Sequence, residues 1–361
     1  MSGSISGMGF PALGQLTAGL AQIKQNFDTL TEQASSGLIS NTYSGLGSTA
    51  PIALALAPPI ADLQAAQNNI AAASGPAQVT QTAMTQIGSI AANLLAEMPS
   101  LGGLDPSEVD TVSASARSDL ATVADLLDSQ YGGVYVFAGQ DTSNPPVPNP
   151  DQIASSGFFN QISVAVGDLS ANGASATAAA TLAITSSTTA GTSPLSATYL
   201  AQPSGQMTPP SVATGDGQSQ TLGLLAGANI GPVSTGTSTT GSYMLDLMRA
   251  LATVGSLSSS QASDPNFAPL VADTQTSVTG AISAMSTDVG ILGEQQSSLT
   301  ALSTTLSDTQ TALTGQLSSA ENVDMASTLS NLSLMETQLQ ESYQLISVTS
   351  GLSLAKILPV S

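Results

Sequence analysis

The chain has 361 residues, room for two or three domains, and 41% of them are hydrophobic, enough to bury a core. A formal net charge of −20, with Lys24, Arg117, Arg249 and Lys356 as the only basic side chains, excludes the clustered cations that nucleic-acid binding requires. Neither Cys nor His occurs, which excludes disulfides and removes the common transition-metal ligands and the usual general base, so no enzyme, cofactor or metal site is expected.

Aromatic residues make up only 3% of the chain and charged residues 8%, so Ala, Leu, Ile and Val must carry the packing and Ser, Thr, Gln and Asn the surface. Such a surface suits close subunit contact, and the hydrophobic content argues against disorder outside the middle third. Residues Met1 to Phe10 show neither a basic n-region nor an apolar h-region, so no secretory signal peptide is expected. The longest apolar run, Pro51 to Ala57, is cut by Pro58-Pro59 well short of the roughly 18 residues of a membrane span, so no membrane insertion is expected.

The first helix is announced by Leu13, Leu16, Leu20, Ile23, Phe27, Leu30 and Ala34, whose alternating spacings of three and four keep one apolar seam facing a partner. Gly37 reads as its C-cap. From Leu38 to Pro59 the glycines and prolines predict mostly loop. Heptad spacing resumes with Leu63, Ala66, Ile70, Ala73, Ala77, Met84, Ile87, Ala91, Leu94 and Met98, with Thr80 as the polar exception and Gly75-Pro76 as a predicted kink or break. Asp105-Pro106-Ser107-Glu108 then predicts a capped helix start, with Val112, Ala116, Leu120, Val123 and Leu127 along one face.

Tyr131 to Gly139 is apolar, β-prone and glycine-flanked, and predicts one short strand. From about 141 to 240 the composition shifts to Ser, Thr, Ala and Gly, with period-two alternation at Ile162, Val164 and Val166 and again at Leu182 and Ile184. This predicts a small β-rich domain with flexible loops. Helical pattern returns at Tyr243 with Leu247, Leu251 and Val254. A long seam follows: Val278, Met285, Leu292, Leu299, Leu306 and Leu313 lie seven apart, with polar Gln296, Ser303 and Gln310 among the companion positions. The last helix is predicted from about Val323 to Ile357, with Met325, Leu329, Leu332, Leu339, Tyr343 and Ile346 inward and Pro359 beyond it.

The fold class expected is therefore mainly α: a long antiparallel coiled-coil bundle of the N- and C-terminal segments, 1–138 and 242–361, with a small β-rich insert at 139–241. The seams serve either an intramolecular core or, at the two chain ends, contacts in an assembly. Two chemical motifs carry little weight. Gly45-Leu46-Gly47-Ser48-Thr49-Ala50 has the spacing of a dinucleotide loop but no preceding strand. Asp125, Asp128 and Asp216 lack the twelve-residue acidic loop of a calcium site.

Three stretches resemble the flagellin superfamily, which comprises bacterial flagellins and the hook-filament junction protein, hook-associated protein 3. Leu30-Thr31-Glu32-Gln33-Ala34-Ser35-Ser36-Gly37 is similar to the end of that family's first helix. Glu321 to Ala326, with Leu339-Gln340-Glu341-Ser342-Tyr343 and Ser353-Leu354, is similar to its C-terminal helix. Gly133 to Gly139 is similar to an aromatic Phe-Ala-Gly strand more typical of the junction protein. Leu38-Ile39 replaces the family's usual basic pair, and the arginine-bearing part of the second helix is replaced by Ala91 to Glu97, so immune-receptor recognition is not implied.

The resemblance implies an extracellular structural protein of the flagellum, exported by the type III apparatus without a cleaved signal peptide. It also implies an export chaperone, and assembly with its own copies or with other axial proteins through terminal coiled coils for motility. A secreted coiled-coil adhesin or a type III translocator is the alternative reading of the same seams.

Overall fold

A computed structural model describes residues 10–101, 106–203, 207–215, 217–232 and 238–355, with the side chains of 10–13 and 349–355 excepted. The expected cap at Asp105, the acidic Asp216, the first nine residues up to Gly9 and the chain beyond 355, Pro359 included, lie outside the described residues. The helices are α1 (Phe10–Ser36), α2 (Ala50–Leu101), α3 (Pro106–Leu127), α4 (Gly157–Gly167), α5 (Leu169–Asn172), α6 (Ala174–Thr185), α7 (Ala197–Leu200), α8 (Tyr243–Gly255), α9 (Phe267–Glu321) and α10 (Met325–Ala355). Short 3-10 helices lie at Tyr43–Thr49, Pro150–Ser155 and Ser259–Gln261, and two antiparallel hairpins pair β1 (Gln130–Tyr131) with β2 (Val134–Tyr135) and β3 (Ser211–Gly215) with β4 (Gln218–Thr221). The molecule is mainly α with long helices towards both ends and a small two-stranded sheet in the insert.

Two compact units are present: residues 1–63 with 308–361, and residues 64–307. In the second unit the face of α2 expected from its heptads is buried at Ala66, Ile70, Ala77, Thr80, Met84, Ile87, Ala91, Leu94 and Met98, with Ala73 half-buried among them. It shares one core with Val109, Ala116, Leu120, Val123 and Leu127 of α3 and with Val278, Met285, Leu292 and Leu299 of α9. Each such Leu, Ile or Met removed from water contributes about 1.5–3 kcal/mol before entropy is counted.

The prolines do not end α2 as expected. It runs unbroken from Ala50 through Pro51, Pro58, Pro59 and Pro76. Pro58 and Pro59 lie on the exposed side with Leu54 and Ala55, so solvent satisfies the carbonyls left without a helical donor. Around Pro76 the core claims Ala77 and Thr80 of the same turn, and that burial outweighs one missing bond. As a result, residues 43–101 form a helical stretch long and apolar enough to cross a membrane by length and composition, which corrects the expectation that no such stretch exists. From Ile70 onward its inward face nonetheless lies in the core of the second unit.

The expected single strand at 131–139 is instead the β1–β2 hairpin, in which Gly132 and Gly133 take φ of 60° and 86°, the two positive values a type I′ turn demands. Val136, Phe137 and Ala138 follow as buried coil. The expected strands around 162–166 and 182–184 are helices α4 and α6. Ile162 and Val166 are buried one helical turn apart while Val164 between them is 67% exposed, so the apparent alternation is an i, i+4 face. Ser156 caps α4, its hydroxyl accepting from the Phe159 amide at 3.2 Å.

Helix α8 is buried on every side. Its C-terminal carbonyls are taken by α3: the Ser113 hydroxyl lies 2.9 and 2.8 Å from the Val254 and Leu257 oxygens, and Arg117 Nε donates to Gly255 O at 2.8 Å. A cation there also favours the negative end of the helix dipole. Buried carboxylates hold the coil before and around the start of α8. Asp288 accepts from the amides of Ile230 and Gly231, both at 2.8 Å, and Asp246 accepts from the Thr240 amide at 2.7 Å and from the Thr239 hydroxyl.

Asp128, just beyond α3, accepts from the Val147 amide at 2.9 Å. Burial pushes its carboxyl up to about 6; the Val147 bond opposes the shift, and the Asp125 charge adds to it. A carboxyl raised above its unfolded value destabilises the fold when charged. Its cost is therefore full above pH 6 and is relieved as pH falls towards the unfolded value of 3.8. Asp128→Asn is expected to stabilise the chain near neutral pH by on the order of 1 kcal/mol, allowing for solvent screening of a half-exposed group. Urea unfolding of both proteins checks this: the gain should shrink as pH falls from about 7 to about 5, and a constant difference contradicts it.

Candidate assembly surface

In the first unit α1 and α10 pack against each other. They run antiparallel: Gly37, after α1, meets Val323, before α10, while Leu16, Leu20 and Ile23 lie beside Ser342 and Ile346 along the pair. The chain turns at Gly37 with φ of 74°, and the Gly37 amide closes α1 on Gln33 O at 2.8 Å. Leu38 and Asn322 then form an antiparallel bridge, with Ile39 N to Glu321 O at 2.7 Å and Val323 N to Gly37 O at 3.0 Å. Gln33 Nε2 adds a bond to Ile39 O, and the Thr49 hydroxyl one to Ala320 O, at 2.9 and 2.8 Å. Asp324 caps α10, its Oδ1 accepting from Ala326 N at 3.0 Å and Ser327 N at 3.3 Å.

Along α1, Leu16, Leu20, Ile23, Phe27, Leu30 and Ala34 are half-buried while nearly every residue between them is exposed. Leu13 lies outside the residues whose side chains are described. On α10 the side facing α1 carries Thr328, Leu332, Met335, Leu339, Ser342 and Ile346, alternating four and three. Leu332, Leu339 and Ile346 thus sit on the seam. Leu329 and Tyr343, expected inward with Met325, are instead 52%, 50% and 41% exposed, because the seam runs one flank over from them. Met285, Leu292 and Leu299 are buried in the second unit and Leu306 packs against that core, while Leu313 is half-buried in the first unit.

Two features escaped the sequence reading. Away from the seam, Leu334, Leu345 and Val348 of α10 are 54%, 53% and 62% exposed. Their spacings of eleven and three place them on one stripe, a second apolar periodicity hidden beneath the first. At the start of α2, Ile52 and Leu54 are 50% and 61% exposed. Charge does not shape this surface: the ion pair of α1, Lys24 Nζ to Asp28 at 3.5 Å, is solvent-exposed and contributes little. Among the described residues no group of acids is arranged to hold a metal ion. What the arrangement can do is dock apolar helices.

The chain matches the bacterial flagellin N-terminal helical region over residues 13–142 and the bacterial flagellin C-terminal helical region over residues 276–354. Together the two matches cover more than half of the chain, and residues 143–275 lie outside both. No curated protein matches it. Both matched regions contain the helices that the Leu38–Asn322 bridge and the α1–α10 seam bring together, and the chain belongs to the flagellin superfamily, a structural family of the bacterial flagellum.

Proposed function

We propose that this chain is an axial subunit of the flagellum, at the hook-filament junction or in the filament, that docks onto further copies or other axial proteins through the outward face of α10. The observation that carries this reading is the pair of exposed stripes on a helix already packed on its inner side. The Ser- and Thr-rich surface supports it: only 8% of the residues are charged, so the net charge of −20 is spread thinly along the chain. The terminal segments 1–138 and 242–361 are the assembling parts and 139–241 the variable insert. The Phe137-Ala138-Gly139 stretch favours the junction role.

Delivery is by type III export without a cleaved signal peptide, with a chaperone covering the terminal helices until assembly. The chain is not an enzyme, binds no nucleic acid and inserts into no membrane. Immunogold labelling of intact flagella tests the role. Label at the filament base is expected for a junction protein and label along the filament for a flagellin. Label confined to the cell surface, beside filaments that carry none, contradicts both and favours an adhesin.

A further inference from the structure

We infer that Met325 is an oxidation site at which a hydroperoxide-class oxidant weakens docking of the free subunit. The inference rests on the reading of α10's outward face as the docking surface. Among the described methionines burial selects the residue: Met84, Met98, Met244, Met248 and Met285 are 0–3% exposed, whereas Met325 is 41% exposed. Met207 and Met335 are half-buried, the one against the core and the other on the α1–α10 seam. Met325 opens α10 directly after its cap, Asp324, and shares the exposed apolar stripe of Leu329 and Tyr343.

The chemistry needs only the oxidant. A lone pair of the Met325 sulfur attacks the terminal peroxide oxygen, the O–O bond breaks as the S–O bond forms, and the proton on the transferred oxygen passes to the departing hydroxide or alkoxide, which leaves as water or alcohol. Sulfur loses two electrons and the peroxide gains them. The product places a polar oxygen in a surface that docks by excluding water, and leaving it without a partner weakens docking about tenfold, about 1.4 kcal/mol. The fold itself loses little, because the side chain is exposed in the free subunit. Methionine sulfoxide reductases reverse the change.

The test treats the purified full chain with hydrogen peroxide, locates oxidised methionines by peptide mass mapping, and measures sedimentation of the chain with flagella isolated from cells that lack it. Met325 is expected to oxidise ahead of the five buried methionines, and treated chain to bind about tenfold more weakly. Met325→Leu should bind normally with or without peroxide. Unchanged binding of a chain oxidised at Met325, or equal loss in the Met325→Leu chain, overturns the inference and leaves the docking face standing. Failure of untreated chain to sediment overturns the docking face itself, and this inference with it.

Discussion

Arg249→Met is expected to lower the unfolding free energy by about 3–5 kcal/mol, a large share of a typical domain's stability. Arg249 is 3% exposed on α8, which is buried on every side. Its Nη2 donates to Ser238 O at 2.7 Å and its Nη1 to the Thr181 hydroxyl at 3.4 Å, while Nη1 lies 3.9 Å from Asp273. Burial pushes the guanidinium pKa down, and Asp246 and Asp273 push it back up. Removing the cation leaves Asp246, itself 1% exposed, with its charge uncompensated, and frees Ser238 from α8. Arg249→Lys keeps the charge but cannot span Ser238 and Thr181 together, so it should fall between the two. Denaturant unfolding checks the series, and a loss below about 1 kcal/mol for Arg249→Met would show that the cluster is dispensable.

That cluster also marks where sequence reasoning stopped. Apolar spacing located α2, α3, α9 and the α1 seam, because their cores are Leu, Ile, Met and Ala at heptad positions. It could not locate a core made of hydroxyls and charge. Thr177, Thr181 and Thr185 repeat every fourth residue along α6 and are all buried, yet they read as surface by composition, and Leu182 and Ile184 beside them read as a strand. The prolines of α2 misled for a different reason, since a local penalty of about 3 kcal/mol is outweighed by a long helix whose inward face packs from Ile70 onward. On α10 the composition offered two apolar stripes and a seam within one helix. The partner, not the sequence, decides which faces inward, so Leu332, Leu339 and Ile346 were legible as seam while Leu329 and Tyr343 were not.

The outward stripe of α10 yields the other large effect. Leu334→Asp with Leu345→Asp should change the stability of the isolated chain by no more than about 0.5 kcal/mol per site, because both side chains are more than half exposed. In a docked contact the same two carboxylates lose water and face a subunit of like charge, a cost of several kcal/mol and more than a hundredfold in affinity. Stability and assembly thus separate, which a core substitution cannot achieve. The direct measurement is electron microscopy of cells whose only copy of the chain carries both changes, with the medium assayed for exported subunit. Folded chain in the medium, with filaments absent or detached, is the predicted result. Normal filaments that incorporate the double variant would contradict assembly through the terminal helices.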